Sequence, residues 1–215
     1  MWEVAIYFSL LSLNLLIWAT SYRHLQPASR LLGLGLLLTL VVEGFAAYLM
    51  FHNIRNLYLY HFLTPLQYAL FALVFYKVLT GTRLRQAVLA SLPLYLAAST
   101  YFTLCLEGLS EYNSYALSLK NVLIVCWALG YYKEVFESLQ VTRLTHEPMF
   151  WVSTGLFFYS LGSFFVDGLM NQLLSDSFEL ASALYYISIF LEYLLYITFL
   201  IAFVLERKAS QYALE

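Results

Sequence analysis

Seven stretches of about twenty mostly apolar residues, separated by short polar connections, constrain this 215-residue chain more than any other feature. A helix needs about 20 such residues to cross a hydrocarbon core of about 30 Å, where backbone N–H and C=O groups find no water and must pair within the helix. The stretches fall at about 4–22, 31–51, 58–79, 86–106, 114–132, 149–170 and 181–205. No connection is long enough for a separate soluble domain. The expected fold class is therefore all-α, one polytopic membrane domain of seven transmembrane helices. Composition agrees, with 62% hydrophobic and only 11% charged residues, against about 25% charged in soluble domains. Aromatic residues make up 19%, and such amphipathic rings gather where bilayer meets water.

Orientation is read from Lys and Arg, in which cytoplasmic connections are enriched. Arg23, Arg30, Lys77, Arg83, Arg85, Lys133, Arg143, Arg207 and Lys208 fall in one set of connections, and Arg55 alone in the other. The expectation is an N-terminus outside, a C-terminus in the cytoplasm, and a multi-pass location in a bacterial inner (cell) membrane. The first stretch is expected to be a mature helix, because Glu3 is the one charge before it and no small-residue cleavage site follows. Pro65 and Pro93 predict kinks, and the glycines at 33, 35, 44, 155, 162 and 168 are expected chiefly to let helices approach closely. Cys105 and Cys126 lie in apolar stretches without a CxxC and are expected to be buried packing residues.

Ionisable and amide side chains inside the spans carry the functional signal. Holding a charge at bilayer depth costs several kcal/mol, so each such group should face the bundle interior or a water-filled cavity. Glu43 falls in the second span, His61 and Gln67 in the third, Lys120 and Asn121 in the fifth, Asp167 in the sixth and Glu192 in the seventh. At 1.5 Å per residue, the charged members of this set lie in the outer half or the middle of the membrane. Helical phase puts Gly35, Thr39 and Glu43 on one face, His61, Thr64 and Tyr68 on another, Ser160, Ser163 and Asp167 on a third, and Tyr185, Ser188, Glu192 and Tyr196 on a fourth. If those stripes converge they line an outward pocket, with Glu43 and Glu192 as deep anchors, His61, Lys120 and Asp167 as pocket or gate residues, and Tyr58 and Tyr60 as an aromatic lid.

Several chemistries have no support in the residues. A retinal Schiff base needs a lysine in mid-last-helix, and the stretch 181–205 has none. His24, His52, His61 and His146 are scattered over both sides of the membrane, so a metal site is not expected. There is no GxSxG, no phosphate loop and no basic run for nucleic acid, and no cofactor is implied. The layout is similar to receptor-type seven-helix bundles, including the sensor regions that precede bacterial histidine kinases, although no motif of such a family is present. What that likeness implies is a sensory module that binds a small or lipidic ligand and signals in trans, the tail from Glu206 being too short for an output domain. The connection from about Lys133 to Pro148 is then the first docking candidate for a membrane or cytoplasmic partner. The alternatives are a proton-coupled solute or ion transporter, or a structural subunit of a membrane complex.

Overall fold

The computed structural model describes residues 2–138 and 144–212; Arg143, counted above among the basic residues, lies outside them. Seven long helices dominate: α1 (Trp2–Ser21), α2 (Pro27–Phe51), α3 (Tyr58–Val78), α4 (Thr82–Tyr101), α5 (Ser114–Ser138), α6 (Pro148–Asp176) and α7 (Phe178–Tyr212). No strand occurs among the described residues. Helices α2 and α6 each open on a proline, where the missing N–H would have had no helical partner anyway. They begin earlier, and α6 and α7 end later, than hydropathy alone suggests, because polar residues continue a helix beyond the apolar core.

Six of the helical stretches, all but the one built on α5, are long and apolar enough to cross a membrane, which marks the chain as an integral membrane protein. Helix α5 departs from that composition because it carries Lys120, Asn121, Lys133, Glu134 and Glu137. Its buried face includes Lys120, Asn121, Ile124, Trp127, Ala128 and Tyr131, so Lys120 and Asn121 turn into the bundle, while Lys133 and Glu137 are exposed near its end. Large side chains such as Leu16, Val41, Phe62, Leu94, Leu104 and Phe165 form the exposed apolar belt.

The helices pack as a closed ring in the order α1, α2, α3, α5, α6, α7, with α7 returning to α1. Helix α4 stands outside this ring, against α3 and α5. A relay of hydrogen bonds holds it there. Trp127 Nε1 donates to the Tyr68 hydroxyl at 3.4 Å, Tyr68 and Ser91 pair at 2.5 Å, and Ser91 donates to the Val88 carbonyl at 2.6 Å. Tyr95 on α4 donates to the Ala116 carbonyl on α5 at 2.8 Å. Close approach across the ring uses small residues: a Cβ at Gly33 would strike Trp18, and one at Gly155 would strike Thr198. Gly44, by contrast, has open space around it.

Three glutamates, two of them distant in the chain, complete the starts of helices. Glu206 on α7 accepts from the Gln26 N–H and the Ser29 hydroxyl at the start of α2. Glu134 on α5 accepts from the Thr80 N–H at 2.7 Å and the Gly81 N–H at 2.9 Å, just before α4. Glu107, at the end of a π-helical turn (Phe102–Glu107) that follows α4, accepts from the Ser114 and Tyr115 N–H groups at 2.8 and 3.1 Å, at the start of α5. The first turn of a helix presents unpaired N–H groups and a partial positive charge, so a carboxylate there satisfies both.

The apolar interior divides in two. A large cluster containing Leu11, Leu15, Leu32, Leu36, Phe75, Leu156, Phe199 and Phe203 fills the end of the bundle that carries the basic connections. A small one, Val166, Met170 and Ala181 with Tyr112 and Leu184 beside it, lies near the opposite, acid-bearing end. The ionisable groups lie between.

Cys105 and Cys126 are both exposed on the outside of the bundle, correcting the expectation of burial. In a membrane protein the lipid-facing surface is as apolar as the interior, so an apolar stretch does not tell which way a given thiol points.

Candidate functional site

Glu192 is the residue on which the ring closes. Its carboxylate lies within electrostatic range of Glu43 on α2, Lys120 on α5 and Asp167 on α6. The hydroxyls of Tyr7 on α1, Tyr60 on α3, Tyr159 on α6 and Tyr196 on its own helix are in range as well. Every helix of the ring thus contributes a polar group to one interior region, and α4 contributes none. Glu192 itself is half-buried. Together these side chains form one polar cluster inside the bundle.

Two of the three clustered carboxylates have donors. Tyr60 donates to Glu43 Oε2 at 3.0 Å. Asp167 accepts from the Tyr112 hydroxyl at 2.6 Å and from Asn121 Nδ2 at 2.8 Å, while its backbone carbonyl accepts from Ser114. Below the Tyr60–Glu43 pair, Gln67 donates to the Thr39 hydroxyl at 2.9 Å, and Thr39 donates back to the Gly35 carbonyl at 3.0 Å. On the α1–α7 seam the Tyr7 and Tyr196 hydroxyls meet at 3.2 Å, and Asn14 Nδ2 donates to the Tyr196 carbonyl at 3.0 Å. Glu192 has no hydrogen-bond donor among the described residues, and Lys120 has no hydrogen-bonded acceptor; the Lys120 ammonium stands 6.0 Å from the centre of the Tyr159 ring.

At the acidic end the polar cluster is bounded by the connection between α4 and α5. His61 pairs through Nδ1 with the Thr103 hydroxyl at 2.9 Å and through Nε2 with the Glu111 carbonyl at 3.1 Å. Asn171 donates to the Tyr112 carbonyl at 2.9 Å and to Glu107 at 3.2 Å, and Asn113 donates to the Thr64 hydroxyl at 3.2 Å. Residues 108–113 form a strap held against the helix ends, and Tyr112 reaches from the strap to Asp167.

Of the residues singled out in the sequence, Glu43, Tyr60, Lys120, Asn121, Asp167 and Glu192 are brought together, with Gln67 a step deeper on the α2–α3 side. His61 is not in this group. The polar residues of α3 divide between two faces: Tyr60 and Gln67 turn to α2, while His61, Thr64 and Tyr68 turn to α4, α5 and the strap. Tyr58 is 37% exposed, whereas Tyr60 points inward to Glu43. Tyr159, Tyr7, Asn171 and Glu107 escaped the sequence reading. Tyrosines are too many here, at 19, for any one to stand out, and Asn171 and Glu107 sit where a short polar loop is expected. The most evident surface depression lies elsewhere, at the basic end beside Thr80, Gly81, Leu84, Lys133 and Glu134. It is shallow and is already occupied in part by the Glu134 cap.

Comparison with protein-family models, with curated proteins and with solved structures finds no match to this chain.

Proposed function

We propose that this protein is a receptor-like membrane module that binds a small or lipidic ligand in a chamber around Glu192 and passes the signal in trans to a partner. In this reading all seven helices cross a cell membrane, with α5 shielded by its neighbours. The N-terminus is outside and the basic end is cytoplasmic, so that the chamber opens outward beneath the Tyr112 strap. The convergence of six helices on one partly open, hydrogen-bond-deficient carboxylate is the observation that carries it. A buried acid with no structural donor has a desolvation cost that a folded bundle alone does not require. A ligand in contact with all six helices can shift their packing, and differential contact is what moves a conformational equilibrium.

The inner half favours binding over transport. Below Asn14 and Gln67 the interior is mostly apolar, with Leu11, Leu32, Leu36, Phe75, Phe199 and Phe203 each no more than 2% exposed and Ser153 and Thr198 the isolated buried hydroxyls among them. A partner is expected at the basic end. Glu134, first read as part of a docking surface, is engaged at the start of α4, which leaves the exposed Lys133–Glu137 pair on the surface there.

The test is thermal melting of the purified protein against a broad panel of metabolites and lipids. A ligand at a hundred times its Kd adds about 2.7 kcal/mol to stability, a shift of several degrees. The expected result is a melting rise that Glu192→Gln removes or reduces. Unchanged melting across the panel, or pH-dependent flux into proteoliposomes that Glu43→Gln abolishes, overturns the reading.

A further inference from the structure

At the basic end two helix hairpins treat their arginines differently. Arg30, near the start of α2, lies over the Tyr22 ring at 5.2 Å and donates through Nη2 to the Arg23 carbonyl at 3.2 Å. Arg85, in the first turn of α4, reaches back across its hairpin to α3 and lies over the Tyr76 ring at 4.5 Å, and Lys77 Nζ stands 6.0 Å from the centre of the same ring. The Arg85 Nε is buried, while its terminal amino groups are neither buried nor bonded to an acceptor among the described residues. Neither Arg85 nor Lys77 has a carboxylate partner there: Glu134 is taken up by the Thr80 and Gly81 N–H groups, and Glu137 by Lys133. A guanidinium laid on a ring has its plane fixed and its edge N–H groups free, and that fork matches the oxygens of a phosphate.

Along the helices from these two cations the surface is apolar and exposed. On α4, Arg85, Leu89 and Leu96 share one face at i, i+4 and i+11, and on α3, Lys77 and Leu66 share one at i and i−11. Leu66, Leu89 and Leu96 are all exposed, and α4 stands outside the ring of helices, where its outer side meets lipid. We infer that the α3–α4 hairpin binds an anionic phospholipid, its phosphate set against Arg85 and Lys77 beside Tyr76 and its acyl chains along Leu66, Leu89 and Leu96. Unpaired cations next to an apolar stripe select this class of ligand. Free phosphate meets the cations and leaves the stripe uncovered, whereas phosphatidylcholine covers the stripe but brings a cation of its own to a basic patch. The inference does not rest on the ligand-binding reading of the Glu192 cluster.

The experiment offers the full-length protein in detergent an equal mixture of phosphatidylglycerol and phosphatidylcholine, and native mass spectrometry reads which lipid is retained. Phosphatidylglycerol is expected to be retained about tenfold over phosphatidylcholine, and to raise the melting temperature by several degrees where phosphatidylcholine does not. Arg85→Gln and Lys77→Gln are each expected to lower that preference several-fold. Lys77 is exposed at the end of α3, so Lys77→Gln remains readable if Arg85→Gln fails to fold. Lys208→Gln removes one exposed cation from the same end of the bundle, on α7, and is expected to leave the preference unchanged. Equal retention of the two lipids by the parent protein overturns the site, as does a preference that Lys77→Gln leaves intact or that Lys208→Gln lowers as much. A melting rise with inorganic phosphate as large as that with phosphatidylglycerol overturns it in favour of a soluble anion.

Discussion

The Tyr112 hydroxyl and Asp167 Oδ1 stand 2.6 Å apart, joining the strap between α4 and α5 to the polar interior. Hydrogen bonds to a carboxylate contribute more than neutral ones, about 1.5–3 kcal/mol. Tyr112→Phe keeps the ring among Val166, Met170 and Leu184 but loses this bond. The expected outcome is a melting temperature lower by a few degrees together with faster hydrogen exchange of the amides at 108–113. A variant with unchanged exchange in that segment would show that Tyr112 does not hold the strap.

Glu43 and Tyr60 form the second pinned corner, at 3.0 Å between α2 and α3. Removing either partner leaves the other without its protein hydrogen bond, so single changes are expected to cost more than the pair is worth. In a cycle of Tyr60→Phe, Glu43→Gln and the double variant, measured by reversible unfolding in detergent, the expected coupling is about 0.5–3 kcal/mol. Strict additivity would mean the two side chains do not act together.

The Glu134 cap gives the basic end a predicted pH response. Burial pushes this carboxyl up, but the Thr80 and Gly81 N–H groups and the Thr80 hydroxyl outweigh it and hold the carboxyl below its ordinary range. Because the folded-state value is depressed, the contribution is fully present above the ordinary glutamate value of about 4.3 and is lost as pH falls through the lower folded value. Glu134 is partly exposed, so the effect is small, on the order of 0.5 kcal/mol. Melting followed from pH 6 to pH 3 should fall less steeply in Glu134→Gln than in the parent protein; parallel curves would contradict the cap.

Helix packing is tested at two glycines of opposite character. Gly155 on α6 meets Thr198 on α7, and Gly155→Val is expected to destabilise by at least about 1–3 kcal/mol through overpacking. Gly44 faces open space, and Gly44→Ala is expected to be neutral or to stabilise by up to about 1 kcal/mol, the helix-propensity difference. Equal effects at both positions would argue against the α6–α7 contact.

How far the sequence could be read follows from what each signal measures. Hydropathy finds helices because a spanning helix must be apolar along its length, and the expected boundaries of α3 match those observed closely. It does not distinguish lipid-facing from core-facing positions, so the direction of Cys126 and the place of α4 outside the ring were hidden. Phase grouped Ser160, Ser163 and Asp167 correctly on the buried face of α6. Phase names a face but not the neighbour behind it, which is why His61 was joined to the pocket although its partners are Thr103 and Glu111. The caps at Glu107, Glu134 and Glu206 depend on contacts between residues brought together only by folding, and no local pattern announces them.

Everything functional depends on Glu192 lining a chamber reached from the acidic end. Glu192→Cys in a background lacking Cys105 and Cys126, treated with a small charged methanethiosulfonate reagent from each side of oriented vesicles, tests this directly. The account predicts modification from the side of the Tyr112 strap, faster in Tyr112→Phe, and none at a Phe199→Cys control. Modification from the basic end alone, or no modification of Glu192→Cys from either side, would contradict it.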